Sequence, residues 1–293
     1  MPIPKKVLLI INPIAGDTDK TRLLDLLDHY SIRMRFSFEV FRTTGTGDEA
    51  AVEQSITEFQ PNRILVAGGD GTITQMANVV RKFNIPLGIL PMGSANGLAI
   101  SLGLPSEIDE AMEVALGDNI IQLDGMLIND RLGLHLSDLG LNARLIKNYE
   151  EGHVRGKWGY LSKVAQTLTE HDVFSARIST DTETFETEAT IIILANANMY
   201  GTGVIINPKG SMTDGRFEVI IATRFDLIEL AKIVVGSTDF DPEVVRILTT
   251  THAKIECLSG DALFQIDGEL QGVVNQIKAS ILPGILRVVI PEK

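Results

Sequence analysis

The segment 68–72, Gly-Gly-Asp-Gly-Thr, constrains this chain more than any other feature. It follows the apolar run 64–67 and precedes an amphipathic stretch that begins at Ile73. A buried strand, a glycine turn and a helix form a phosphate site, because glycine permits close backbone approach and the first helical amides lack partners. Asp70 would repel phosphate unless a metal ion lay between them, so the segment predicts binding of a Mg-nucleotide. The same residues also suit an ordinary turn.

The first 124 residues alternate between strand and helix patterns. Apolar runs predict four strands, at 7–11, 35–42, 64–67 and 86–90, and helices at 18–30, 48–59 and 72–83. Two more helical stretches follow, and the second is predicted to begin at Ser106, with Asp109 three residues on in a pattern close to a capping box. This alternation predicts a doubly wound parallel sheet, whose ligands bind beyond the carboxyl ends of the strands. The loops at 12–16, 68–72 and 91–97 all fall at that edge.

The pattern changes after residue 124. Short β-type runs separated by Gly, Asn and Asp dominate the remainder, with helical stretches at about 158–171 and 226–236. Such a succession of strands favours a mainly antiparallel β-sandwich. We therefore predict an α/β nucleotide-binding domain at 1–124, a β-rich lipid-acceptor domain at 125–293, and a ligand cleft between them.

Bulk composition excludes some functions. The net charge of −12 argues against a nucleic-acid partner. The single cysteine, Cys257, fits a reducing compartment. No stretch approaches the roughly 20 apolar residues of a membrane-spanning helix. These features predict a cytoplasmic protein.

Three further motifs can carry chemistry. Asn-Pro-Ile-Ala-Gly at 12–16 and Pro-Met-Gly-Ser-Ala-Asn-Gly at 91–97 follow the first and fourth predicted strands. The first can be a simple turn, and the second can be a helix N-cap at Ser94 or Asn96. Near the C-terminus, Asp267-Gly268-Glu269 suits a tight hairpin, but its two carboxylates could also supply a general base and an orienting partner.

The order of these four motifs resembles the diacylglycerol kinase and sphingosine kinase family of lipid kinases, in particular the bacterial diacylglycerol kinase-like catalytic domain. The resemblance covers nearly the whole chain, including 159–161, 200–203 and 214–217. It implies a two-domain kinase that uses ATP and Mg²⁺ to phosphorylate a lipid hydroxyl.

The resemblance also implies roles for individual residues. Asp267 would accept the proton of the lipid hydroxyl, and Asp70 with Glu269 and Asp124 would organise the active-site Mg²⁺. Asp214 stands in Thr213-Asp214-Gly215, where many bacterial members carry Asp-Asp-Gly and bind a structural Mg²⁺, so one carboxylate of that metal site is missing here. The implied nucleotide-binding residues are Asn12, Thr43 or Thr44, Gly69, Gly71, Thr72, Gly93, Ser94 and Asn96.

Several alternatives stay open. Gly97 replaces the acidic residue common in bacterial diacylglycerol kinases and is more similar to sphingoid-base kinases, so the acceptor is diacylglycerol-like or sphingoid-like. NAD kinases share Gly-Gly-Asp-Gly-Thr, although their Asn-Glu and Gly-Ser-Thr-Ala-Tyr segments are missing here. A catalytically silent nucleotide- or lipid-binding module is a further possibility. A lipid kinase would need transient membrane-surface contact, and a homodimer is also left open.

Overall fold

The computed structural model describes residues 5–15, 20–140, 173–200, 204–223 and 240–292. The chain divides into two compact units. The first comprises 1–123 with 284–293, and the second comprises 124–283. The sequence pattern places the last ten residues with the second domain, but their strand pairs with the first unit's sheet at Val288 and Leu87.

The first unit is built on parallel strands with helices between them. Its elements are β1 (Lys6–Ile11), α1 (Lys20–Met34), β2 (Ser37–Arg42), α2 (Asp48–Phe59), β3 (Arg63–Gly68), α3 (Asp70–Val80), β4 (Leu87–Pro91), α4 (Gly97–Ser101), α5 (Ile108–Leu116) and β5 (Ile120–Ile128), which continues into the second unit. The strand order β2-β1-β3-β4 is parallel throughout, which confirms the predicted doubly wound sheet.

The register of this sheet places the carboxyl ends of its four strands side by side. Ile11 lies beside both Arg42 and Ala67, and Gly68 lies beside Pro91. The four loops that follow these strands therefore begin at the same edge. Alternate strand residues are buried on opposite faces: one face packs with α1 and α5, and α2 and α3 lie against the other.

Two local predictions in this unit are wrong. Helix α1 ends at Met34 rather than Tyr30, because the chain leaves the helix only at Arg35, whose φ is 61°. Helix α5 begins at Ile108 with Glu107 as its N-cap and has no side-chain capping bond. The predicted capping box is absent there, and Asp109 instead forms an ion pair with Arg22.

The second unit is an antiparallel sandwich, as predicted. Its strands are β6 (Arg131–Gly133), β7 (Leu136–Gly140), β8 (Phe174–Thr180), β9 (Thr184–Ala189), β10 (Ile191–Ala195), β11 (Met199–Tyr200), β12 (Val204–Ile205), β13 (Phe217–Ala222), β14 (Val245–Thr250), β15 (His252–Cys257), β16 (Ala262–Ile266), β17 (Glu269–Val274) and β18 (Gln276–Val289), which ends in the first unit. The predicted helices at 158–171 and 226–236, and the similar segments at 159–161 and 201–203, lie outside the described residues.

Two sheets form this sandwich. One has the order β14-β13-β10-β7-β16-β17, and the other contains the order β18-β15-β8-β9 with β5 and β6. Buried side chains from both sheets, among them Phe217, Phe264 and Ile255, form its main core. The turn that carries Asp267 joins β16 to β17.

Candidate active site

The loop after β1 is tied to the start of α3. Asn12 donates from Nδ2 to Thr72 Oγ1 at 2.9 Å and accepts from the Ile14 amide at 3.1 Å. Thr72 packs so closely on Gly68 that a Cβ there would lie 2.6 Å from the Thr72 Cβ. The glycine is therefore required by this helix start, and the predicted residues Asn12 and Thr72 are neighbours.

The loops after β3 and β4 meet through two glycines. A Cβ on Gly93 would lie 2.5 Å from the Gly69 Cα, and a Cβ on Gly69 would lie 3.2 Å from the Gly93 Cα. No side chain fits between these backbones. This contact forms a backbone-lined surface at the N-terminus of α3, where helical amides favour an anion.

The carboxamide of Asn96 closes the loop after β4. It accepts from the Gly93 amide at 2.7 Å and donates to the Gly93 carbonyl at 2.8 Å. Asn96 has φ 53° and is the N-cap of α4, but its side chain makes no capping bond. Ser94 is exposed at the tip of the loop. The predicted cap position is confirmed, whereas the Asn96 side chain serves the loop and not the helix.

Asp70 supplies the capping that Asn96 does not. Its Oδ2 accepts from the Gly97 amide at 2.9 Å and its Oδ1 from the Leu98 amide at 3.1 Å. These are the first two amides of α4, which lack helical partners. Asp70 therefore joins the N-termini of α3 and α4 in one cluster.

The loop after β2 holds an internal anion. Asp48 is buried and accepts from the amides of Thr44 at 2.8 Å and Gly45 at 2.7 Å, and from the Thr44 hydroxyl at 3.0 Å. Burial alone would raise the Asp48 pKa, but these hydrogen bonds lower it below the usual value. Thr43 is buried and Thr44 is exposed. Their contact with a phosphate stays a prediction.

In the second unit, backbone amides hold the carboxylate of Asp267. Its Oδ2 accepts from Leu134 at 2.8 Å, and its Oδ1 accepts from His135 at 2.9 Å and Leu136 at 3.2 Å. Asp267 has φ 50° and Gly268 has φ 89°, between the paired residues Ile266 and Glu269. This is a two-residue hairpin turn with two positive φ angles. The turn fixes a half-buried carboxylate in one orientation.

Asn196 fixes the loop that holds Asp267. It is fully buried, and its Nδ2 donates to the Asp124 carbonyl at 3.0 Å and to the Leu134 carbonyl at 2.7 Å. Asn196 was not predicted from the sequence. A polar residue directly after the apolar strand 191–195 was the available signal.

The other predicted carboxylates have separate settings. Asp124 is buried and accepts from the Gly215 amide at 2.7 Å, which ties it to the turn that contains Asp214. Asp214 accepts from the Arg216 amide at 3.0 Å. Glu269 is exposed at the start of β17. Their roles at a metal stay predictions.

The contact between Gly69 and Gly93 means that backbone, rather than side chains, lines this edge of the first unit. Within the described ranges, no group of three His, Cys, Asp or Glu could hold a metal ion. Magnesium usually needs only one or two carboxylates when it arrives with phosphates. Each Asp70 oxygen accepts one amide and has a further lone pair, so Asp70 fits such an ion.

Two models of known protein families match this chain. Residues 6–128 match the model of the diacylglycerol kinase catalytic domain, and residues 137–290 match the YegS C-terminal NAD kinase beta sandwich-like domain. The fold and these matches define an ATP-dependent phosphotransferase that acts on an alcohol group. The chain belongs to the diacylglycerol kinase family of lipid kinases.

Individual relatives are distant but similar over most of their length. A diacylglycerol kinase of Staphylococcus epidermidis is 26% identical over 92% of this chain and 87% of its own. The "Probable lipid kinase YegS" of Salmonella dublin is 25% identical over 97% and 95%. A crystal structure of a diacylglycerol kinase from Bacillus anthracis has a TM-score of 0.75, covers 98% and 97% of the two chains, and shares 21% identity. Among the described residues, no helix has the length and apolar character needed to span a membrane.

Proposed function

We propose that this protein transfers the γ-phosphoryl group of ATP to a hydroxyl group of a lipid, with Asp267 as the general base. The setting of Asp267 carries the proposal. Its carboxylate is half-buried, is oriented by three amides, and lies in the Asp-Gly-Glu turn of a chain that belongs to the lipid-kinase family. A base must be both oriented and reachable by the proton that it accepts.

In the proposed reaction, Asp267 accepts the proton of the lipid hydroxyl while the hydroxyl oxygen attacks the γ-phosphorus. The bond between that phosphorus and its bridging oxygen breaks, and ADP leaves. Backbone amides around Gly69 and at the start of α3 would hold the phosphates, and Asp70 would hold Mg²⁺ that arrives with ATP. Bound Mg²⁺ would neutralise charge on the phosphate oxygens.

The acceptor is a diacylglycerol-like or sphingoid-like lipid, which the protein would reach by transient contact with a membrane surface. The first test measures ADP release with Mg-ATP and diacylglycerol, monoacylglycerol, sphingosine or ceramide in mixed micelles. NAD belongs in the same panel, because the second unit matches a model described as NAD kinase-like. Turnover on NAD alone would refute the proposal, and ATP binding without any turnover would favour a silent module.

The decisive variant is Asp267→Asn, for which we expect turnover to fall by about 10²–10⁴-fold. Asp130→Asn is the matched control, because Asp130 also lies in a hairpin turn with positive φ, between β5 and β6. Binding of a non-hydrolysable ATP analogue should persist in both variants. Wild-type turnover in Asp267→Asn would rule out the assignment of the base.

A further inference from the structure

The side chain of Gln265 supports the turn that carries Asp267. Its Oε1 accepts from the Gly268 amide at 2.7 Å, and its Nε2 donates to Asp138 Oδ2. Gln265 is 1% exposed and Asp138 is fully buried. The two residues lie directly opposite each other on β16 and β7. A chain of hydrogen bonds therefore leads from a buried carboxylate to the backbone of the turn.

The chemistry of the partners fixes how the Gln265 amide is oriented. The Gly268 N–H can only donate, so it requires the oxygen of the amide. Oδ2 of Asp138 accepts in the observed pair, so it requires the NH₂ group. Either partner alone would favour this orientation, and together they exclude the reverse one.

The bond to Gly268 fixes the peptide between Asp267 and Gly268. Asp267 is a non-glycine residue at φ 50°, a conformation that side chains adopt at some energetic cost. On its other side, the Asp267 amide donates to the Leu136 carbonyl at 2.9 Å, and its carboxylate accepts the amides of the loop before β7. The turn is thus held from two sides. One side holds the carboxylate, and Gln265 holds the backbone that aims it.

We propose that Gln265 is a positioning residue for catalysis, and that Asp138 orients its amide. This inference rests on the proposed role of Asp267 as the base. Loss of the Gln265 bond lets the peptide of the turn rotate, so the carboxylate spends less time within reach of the acceptor hydroxyl. The kcat falls, whereas the KM for ATP is unchanged because the nucleotide-binding residues belong to the other unit.

The test is Gln265→Met, which keeps an unbranched side chain of similar length but removes both hydrogen-bonding groups. We expect kcat to fall by about 10-fold with the KM for ATP within twofold. Combined with Asp267→Asn, the substitution should cause no further loss, because a positioning residue acts only through the group it positions. Asp138→Asn keeps an oxygen that can accept from Gln265, so it should retain more activity than Gln265→Met.

The matched control is Asn207→Leu. Asn207 is a fully buried amide of the same unit, and its Nδ2 donates to Glu218 at 2.5 Å and to the Ala197 carbonyl at 3.4 Å. Its loss should lower thermal stability and leave kcat within twofold. If Gln265→Met does not fold, Gln265→Asn tests the same bond, because its amide is one methylene too short to reach Gly268.

The outcomes separate the two proposals. Wild-type kcat in Asp267→Asn refutes the base and this inference together. A large loss in Asp267→Asn with wild-type kcat in the Gln265 variant refutes only this inference. An equal fractional loss in both backgrounds also refutes it, because that result indicates general damage to the fold.

Discussion

The close approach of Gly93 to Gly69 in the first unit can be tested with one methyl group. In Gly93→Ala, the new Cβ would lie 2.5 Å from the Gly69 Cα and 2.9 Å from Asn96 Oδ1. Carbon atoms pack best at about 3.5–4.0 Å, so the two loops must separate by about 1 Å. Neither obstacle can easily move aside, because one is backbone and the other is held by two hydrogen bonds to Gly93 itself.

The cost of such overpacking is about 1–3 kcal/mol, and each 1.4 kcal/mol is a factor of ten in affinity. If the displaced loops must return to their original positions to bind phosphate, this energy is subtracted from the binding free energy. Affinity for a Mg-bound, non-hydrolysable ATP analogue then falls by about 5–150-fold. Gly69→Ala should have a smaller effect, because its Cβ would stand 3.2 Å from the Gly93 Cα. Isothermal titration calorimetry measures both affinities, and thermal unfolding shows how much of the strain reduces stability.

Gly117→Ala is the steric control. Its Cβ would lie 3.0 Å from the Val114 carbonyl, so it also crowds backbone. Gly117 accepts a hydrogen bond from Arg63, the first residue of β3, and therefore lies at the amino edge of the sheet, away from the loops. We expect lower stability and unchanged affinity for the analogue. Wild-type affinity in Gly93→Ala, or an equal loss in Gly117→Ala, would refute the assignment of phosphate to this edge.

Three further predictions concern carboxylates. Asp70→Ala removes the acceptors of two helical amides and should lower the free energy of unfolding in urea by about 1.5–3 kcal/mol. Asp70→Asn should lower it by less. Wild-type stability in the alanine variant would contradict the capping role of Asp70. Burial raises the pKa of Glu218 above its ordinary 4.5 despite the hydrogen bond from Asn207. The folded state therefore holds its proton longer, and wild-type stability falls as pH rises from 4.5 through the folded pKa. In Glu218→Gln, thermal unfolding measured between about pH 4 and 8 should not show this fall in stability. If the stability of the variant and of the wild type change in parallel with pH, the raised pKa of Glu218 is refuted. The Asp48 pKa is lowered from 3.8, so its stabilising effect is present above 3.8 and is lost as pH falls below it. Asp48→Asn should therefore be less stable than the wild type at neutral pH, and this difference in stability should narrow in acid. A stability difference that does not change with pH would contradict the lowered pKa of Asp48.

Much of the first unit could be predicted because its signals are local. Each strand is a short apolar run, and each is followed by glycine or polar residues at the edge where open α/β sheets generally bind ligands. The alternation of strand and helix then leaves a parallel sheet as the natural arrangement. The register, with Ile11 level with Arg42 and Ala67, confirms that the loops begin at one edge.

Two roles that were not predicted from the sequence depend on partners distant along the chain. Asp70 caps a helix that begins 27 residues later, and Asn196 fixes a loop 62 residues before it. Neither contact leaves a pattern in its own neighbourhood. At Ser106 the reverse holds: a suitable local pattern is present, but no capping bond forms, and Asp109 instead forms an ion pair with Arg22 of α1.

The Asp267-Gly268 pair shows why a structural and a functional interpretation need not compete. Asparagine or aspartate before glycine suits a two-residue hairpin because both residues accept positive φ. The structure confirms this turn, and within it the Asp267 carboxylate accepts three amides. A turn without those partners would leave the carboxylate to rotate in water, and a carboxylate on a regular strand would take the direction set by the pleat. The tight turn thus supplies what a base needs, which is a carboxylate at the surface with one fixed direction. Sequence alone could identify the turn, but the three amides come from residues 131 to 133 positions earlier and become visible only in the fold.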